Sequence, residues 1–186
     1  MELVRPEMEH LPSYLAALNR GWSADNTRGM AAVQEQLDAI GHDASSFVAF
    51  QTDREAAGPV ITLPDGSKVP RIPGFLMWMW DGEFCGSIGF RWQPGTEALP
   101  PYVLGHIGYA VVPWKQRRGY ATKALGLILA HPRKEGLAHV DLTTDEDNHA
   151  SQKVMRANGA IFVERFRKVA AQGGGETLRF RIPLAS

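Results

Sequence analysis

Two hydrophobic periods alternate along this chain, and their succession predicts an α/β (α+β) fold. Glu2 to Arg5 reads as a short first strand, and within Met8 to Arg20 the residues Leu11, Leu15 and Leu18 follow helical spacing behind Pro6. The spacing of Ala32, Val33, Gln36 and Leu37 predicts a second helix from about Met30 to Ile40, with Gly41 as its stop. Residues 51–74 are broken by Pro59, Pro64, Pro70 and Pro73 and by Gly58, Gly66 and Gly74, so a loop or small hairpin is expected there. Val60 to Leu63 and Ser67 to Val69 would flank its turn at Pro64-Asp65-Gly66, as an excursion at the sheet edge or a lid.

Phe75 to Trp80 is apolar on both faces, as a strand buried on both sides requires, and Asp81-Gly82 turns it into an antiparallel partner, Phe84 to Trp92. After a Pro-rich connector comes a strand at Gly105 to Val112, ended by Pro113, which has no N–H to give a ladder. A helix begins near Gly119, with Ala121, Leu125, Ile128 and Leu129 on one face, and Pro132 kinks or ends it. His139 to Thr144 is the next strand, Asn148 to Ala157 a short helix closed by Asn158-Gly159, and Ile161 to Arg167 and Thr177 to Ile182 a last pair joined through Gly173-Gly174-Gly175. No internal repeat appears, and 186 residues with 44% hydrophobic content suit one domain spanning 1–186.

Composition narrows the chemistry. Lys and Arg total 20, as do Asp and Glu, so there is no basic excess to bind a phosphate backbone and no nucleic-acid partner is expected. Cys85 is the only cysteine, which excludes an intrachain disulfide and fits a cytoplasmic protein. Its setting in an apolar strand is that of an inert thiol rather than a nucleophile. His10, His42, His131, His139 and His149 show no ligand spacing, so no metal is expected. The apolar runs are too short for a signal peptide core or a membrane span.

The segment Val111-Val112-Pro113-Trp114-Lys115-Gln116-Arg117-Arg118-Gly119-Tyr120-Ala121-Thr122 passes from a buried strand through a polar loop into a helix. A helix N-terminus presents unpaired N–H groups and a positive dipole end, and small residues at 119 and 121 let a diphosphate approach the main chain. Arg117 and Arg118 add charged donors. Neither the triphosphate-binding pattern Gly-x-x-x-x-Gly-Lys-Ser/Thr nor the dinucleotide pattern Gly-x-Gly-x-x-Gly is present. Gln116-Arg117-Arg118-Gly119-Tyr120-Ala121 resembles the pyrophosphate signature Gln/Arg-x-x-Gly-x-Gly/Ala of the GCN5-related N-acetyltransferase (GNAT) family. Gly105 to Val112 resembles that family's splayed fourth strand, and Asn148-His149-Ala150-Ser151 with Asn158-Gly159-Ala160 resembles its Asn-x-x-Ser helix and exit. The likeness covers residues 75–167.

The resemblance implies a GNAT-type domain with a mostly antiparallel mixed sheet of six to seven strands. It also implies acetyl-CoA as cosubstrate. Val111 and Val112 would offer main-chain groups to the pantetheine amides; Gln116, Arg117, Arg118, Gly119, Tyr120, Ala121 and Thr122 would hold the pyrophosphate; Asn148 and Ser151 would face the pantetheine arm. Helix capping is the alternative role of Asn148. The acceptor would be a primary amine, on a small molecule or a protein N-terminus, and homodimerisation is common among relatives. Longer acyl-CoA use, or coenzyme binding without turnover, are the alternatives.

Direct attack on the thioester needs a neutral amine and a donor for the oxyanion. A backbone N–H between Tyr109 and Val112 suits the second task. His106 is the first candidate base, with a satisfied core histidine as the alternative, and Glu83 and Glu97 stand behind it. Tyr109 would orient substrate or pack. Met155 stands where many family members carry a tyrosine acid, which leaves the acid step open.

Overall fold

The computed structural model describes residues 1–25, 28–63, 65–169, 172 and 174–184. Among them the chain runs β1 (Glu2–Val4), α1 (Leu11–Asn19), α2 (Met30–Ala49), β2 (Thr52–Asp53), β3 (Ile61–Thr62), β4 (Lys68–Val69), β5 (Gly74–Trp80) and β6 (Phe84–Arg91). It continues through β7 (Ile107–Val111), α3 (Tyr120–Ile128), α4 (Ala130–Lys134), β8 (His139–Asp145), α5 (His149–Ala157), β9 (Ile161–Arg167) and β10 (Glu176–Pro183). Pro64 of the expected turn and Gly173 of the expected hairpin tip lie outside the described residues.

The strands form two principal sheets. One has the order β1-β5-β6-β7 with β2 also on β5; the other is β8-β10-β9, and the ladders within both are antiparallel. β3 and β4 make a separate hairpin with Ile61 opposite Val69, as the Pro/Gly-rich stretch suggests. β7 and β8 lie beside each other without a ladder. They touch at one end, where His106 N–H donates to Asp141 O at 2.7 Å. Gly105 makes this possible, because a Cβ there would stand 2.9 Å from Asp141 O. Beyond that point the fourth major strand parts from its neighbour, and the space between becomes a cleft.

Each face of the first sheet is sealed by helices. Trp78 and Phe84 pack with Tyr14, Leu18 and Trp22 of the α1 region and with Val33 and Ile40 of α2. Tyr14 stacks on Trp78 with ring centroids 4.6 Å apart. On the other face Met79, Ile88 and Phe90 join Leu125 and Ile128 of α3, Leu142 of β8 and Phe180 of β10. Fully burying one such aliphatic or aromatic side chain contributes about 1.5–3 kcal/mol, so this two-sided core fixes the strands that bear the cleft. Trp22, Trp78 and Trp92 are thus core.

One helix boundary differs from the sequence reading, and the kink expected from Pro132 is present. Gly41 does not stop α2; the helical path breaks at Asp43 instead, with φ −156° and ψ 92°. Its carboxylate accepts from Ser46 N–H at 3.0 Å and Ser46 Oγ at 2.6 Å, which caps a second helical segment to Ala49. Pro132 lies inside α4, and the interruption falls at Leu129, since a proline at 132 has no N–H to donate to Ile128. Asn158-Gly159 closes α5 as expected, Gly159 having φ 81°.

Candidate active site

The cleft owes its depth to small residues. Ser87 pairs with Ala110 and Gly89 with Gly108 across β6 and β7. Cross-strand partners project from the same face, so these four leave a hollow of about 350 Å³, walled also by Leu76, Arg91, Tyr109, Asp145, Ser151 and Met155.

Main-chain direction decides which groups of β7 reach it. Arg91 N–H donates to His106 O at one end of the β6–β7 ladder and Val112 N–H to Cys85 O at the other, each at 2.9 Å. Antiparallel ladders alternate, so His106, Gly108, Ala110 and Val112 aim their main chain at β6, while Ile107, Tyr109 and Val111 aim theirs into the gap. Val112 is therefore closed to a ligand: its amide is bound to Cys85, its carbonyl accepts from Lys115 N–H at 3.0 Å, and its side chain is fully buried. The expectation placed on Val112 is corrected by this. Val111 keeps a main chain facing the gap, with its carbonyl touched by Gln116 Nε2 at 3.3 Å.

Beyond β7 a 3₁₀ turn, Pro113–Lys115, leads into the loop. Arg117 with φ 60° and Gly119 with φ 75° turn the chain through the left-handed region, which swings successive amides outward. The first intrahelical donor of α3 is Lys123 N–H, bound to Gly119 O at 3.0 Å, so the N–H groups of Tyr120, Ala121 and Thr122 have no acceptor among the described residues. Gln116, Arg117, Arg118 and Gly119 are exposed beside them. A Cβ on Gly119 would meet nothing within 4 Å. These residues fit an anionic ligand.

A clamp that the sequence did not announce holds the loop from beneath. Lys115 is 4% exposed, with Nζ 2.5 Å from Asp81 Oδ1 and 2.7 Å from Glu83 Oε1. Tyr120 Oη donates to Asp81 Oδ2 at 2.6 Å. Burial pushes the Asp81 carboxyl up, but the hydrogen bonds from Lys115 and Tyr120 outweigh it and hold the group well below the usual carboxylate range. Burial also disfavours the Lys115 charge, and its bonds to Asp81 and Glu83 reverse this, so the ammonium is held above its ordinary value. A lone buried lysine is rare, and the two acidic residues of the Asp81-Gly82-Glu83 turn were the available signal.

Tyr109 Oη stands 2.9 Å from Ser151 Oγ and 3.2 Å from Ser151 O, on the first turn of α5. Burial pushes its phenol up to about 12, against the opposing hydrogen bond to Ser151. Asn148 is the N-cap of α5, its Oδ1 accepting from Ser151 N–H at 3.0 Å, and it lines the cleft with Ser151 and Tyr109. Met155 follows one turn later, 1% exposed and part of the core.

His106 is set apart from these. It is fully buried, Nδ1 accepts from Asp141 N–H at 3.0 Å, and Nε2 has no partner among the described residues. Burial lowers its pKa to about 4, against the pull of Asp141. The ring is neutral at pH 7 and helps tie the closed end of the gap; it does not line the cleft, which corrects its expected role as a base. Glu83 is engaged with Lys115, and Glu97 accepts from Ala138 N–H at 3.1 Å, so neither reserve faces the cleft. Cys85 is buried, and desolvation pushes its thiol up to about 11.

The acetyltransferase (GNAT) family profile matches residues 15–160. The chain belongs to this family. No curated protein sequence matches the chain closely enough to count as a relative. Among solved structures, RimL, a ribosomal L7/L12 alpha-N-protein acetyltransferase in complex with coenzyme A, superposes with a TM-score of 0.62 at 13% identity, over 98% of this chain and 93% of that one. The microcin C7 self-immunity acetyltransferase MccE, in complex with acetyl-CoA and AMP, gives 0.60 at 13% identity over 97% and 91%. A Salmonella typhimurium acetyltransferase that modifies the N-terminal serine of ribosomal protein L7/L12 gives 0.59 at 15% over 98% and 94%. These likenesses establish the GNAT fold. Among the described residues no helix is long and apolar enough to cross a membrane, and no three His, Cys, Asp or Glu side chains gather as a metal site.

Proposed function

We propose that this GNAT acetyltransferase moves an acetyl group from acetyl-CoA to a primary amine, on a small molecule or a protein N-terminus, within one catalytic domain spanning 1–186. The observation that carries this reading is the row of unpartnered N–H groups at Tyr120, Ala121 and Thr122, placed just past the free main-chain edge of β7. Those amides, with Gln116, Arg117, Arg118 and Gly119, would hold the pyrophosphate. The Val111 main chain would pair with the pantetheine amides like an added strand, alongside Asn148 and Ser151. When bound, the coenzyme supplies an acetyl thioester: a C–N bond forms, the C–S bond breaks, and the proton lost by the amine balances the one gained by the thiolate.

The chain's own residues set three steps. Tyr109 N–H, aimed into the gap, is the donor for the developing oxyanion. The Tyr109 phenol, near 12, is about 3–4 units above a thiol near 8.5. Full proton delivery to the leaving sulfur is thus uphill by about 5 kcal/mol, so Tyr109 Oη acts as a hydrogen-bond donor to it and remains protonated. Asp145 is the carboxylate in the cleft wall, and a water held beside it would relay the proton from the incoming amine. His106 serves the scaffold.

Calorimetric titration with acetyl-CoA, followed by a free-thiol assay over an amine panel, tests the proposal. Coenzyme binding without thiol release on any acceptor would replace transfer with a binding module. A panel of acyl-CoA lengths reports the chain preference.

A further inference from the structure

Arg91 closes β6 and has no part in the steps above. Its guanidinium lies over Gly108, where a Cβ would stand 3.0 Å from Nη2, so the glycine makes room for it. That places the charge on the face of β7 shared by the small residues of the cleft, and Arg91 is part of the cleft wall. The side chain is still reached by solvent through the opening, while the surrounding walls strip enough hydration to depress its pKa.

No described carboxylate pairs with it, and burial is the sole cause of its shift. The other charged groups of the cleft wall are Lys168 and Asp145, joined at 2.8 Å. They offset each other, and His106 behind the wall is neutral at pH 7. One positive charge therefore remains without a counter-ion among the described residues, in a concave site that a ligand can enter. A guanidinium presents a planar fork that matches a carboxylate or a phosphate.

From this we infer that the acceptor is an anionic amine, with a carboxylate or phosphate group held by Arg91 while its amino group reaches the thioester. The inference rests on the proposed acetyl transfer.

The test is steady-state acetylation by the full chain of paired probes: glycylglycine against glycylglycinamide for the carboxylate arm, and O-phosphoethanolamine against ethanolamine for the phosphate arm. At least one anionic probe should exceed its neutral counterpart by tenfold or more in kcat/KM. Arg91→Gln should abolish that preference, and Arg91→Lys should recover part of it, with the thermal shift from acetyl-CoA unchanged in both. Equal or better turnover of the neutral probes overturns the inference, as does failure of every anionic probe in a chain that still binds coenzyme. Absence of any acetyl-CoA binding overturns the acetyl-transfer reading instead.

Discussion

Replacing Gly119 by glutamate separates the coenzyme site from the fold more cleanly than any other change. Gly119 has φ 75°, so a residue with a Cβ carries a strain of about 1–2 kcal/mol there. Its Cβ would meet no protein atom within 4 Å, so no clash adds to that cost. In a chain of this size the melting temperature should fall by roughly 2–8 °C. The carboxylate, however, would occupy the space ahead of the Tyr120 to Thr122 amides. A unit charge about 5 Å from a phosphate charge costs about 3 kcal/mol at an effective dielectric of 20, or roughly a hundredfold in affinity, before loss of the main-chain hydrogen bonds. Gly119→Ala has the strain without the charge and should weaken binding much less. Isothermal titration with acetyl-CoA, beside thermal melts of all three proteins, measures both quantities. A folded Gly119→Glu protein with unchanged affinity would refute the pyrophosphate assignment.

Tyr109→Phe should lower kcat about tenfold with little change in the acetyl-CoA KM, and leave the shape of the pH–rate profile below pH 10 intact, because the phenol titrates near 12; an unchanged kcat would remove Tyr109 from the thiolate step. His106 is neutral in the fold and protonates near 6.5 once unfolded, so the unfolded state binds the extra proton between about pH 6.5 and 4. Stability should be full above that window and fall by about 3 kcal/mol across it, a slope that denaturant melts should find missing in His106→Gln, whose activity at pH 8 should stay within about threefold of the parent. Asp81 is held below its ordinary value, so its contribution is present above pH 3.8 and lost as pH falls through the lower folded value. Asp81→Asn should therefore melt earlier by a nearly constant margin from pH 5 to 9, and equal melting of the two at pH 7 would show that the clamp under the loop adds no stability.

Local chemistry was legible wherever it governed the outcome. The left-handed stop at Gly159, the N-cap at Asn148 and the strand pair around Asp81-Gly82 each follow from residues within a few positions of one another. What escaped the sequence depends on which way a side chain or amide faces. His106 and Arg91 both sit at strand ends beside the cleft, yet one is buried against Asp141 and the other opens into it. Val111 and Val112 are identical in type, and the register of β7 on β6 alone makes one available and closes the other. The Lys115 clamp joins residues 34 positions apart, beyond the reach of any periodicity.

Strand β7 can serve three ends at once because a pleated strand has independent directions. Its odd-numbered main-chain groups point sideways into the gap, where a pantetheine arm can pair with them. The Tyr109 side chain points to the α5 side, against Ser151, while Gly108 and Ala110 point to the opposite face and leave the hollow for an acceptor. A ladder with β8 would consume the first of these directions. None forms: β8 pairs with β10 on one edge, and its other edge meets the β7 segment only where His106 N–H donates to Asp141 O. The separation of the two sheets is therefore the physical origin of the site, and the contact at Gly105, His106 and Asp141 is its hinge point: Gly105→Val, whose side chain must push Asp141 O and the rest of β8 away from it, should lower both stability and acetyl-CoA affinity, whereas the same change at Gly136, which meets nothing within 4 Å, should lower stability alone.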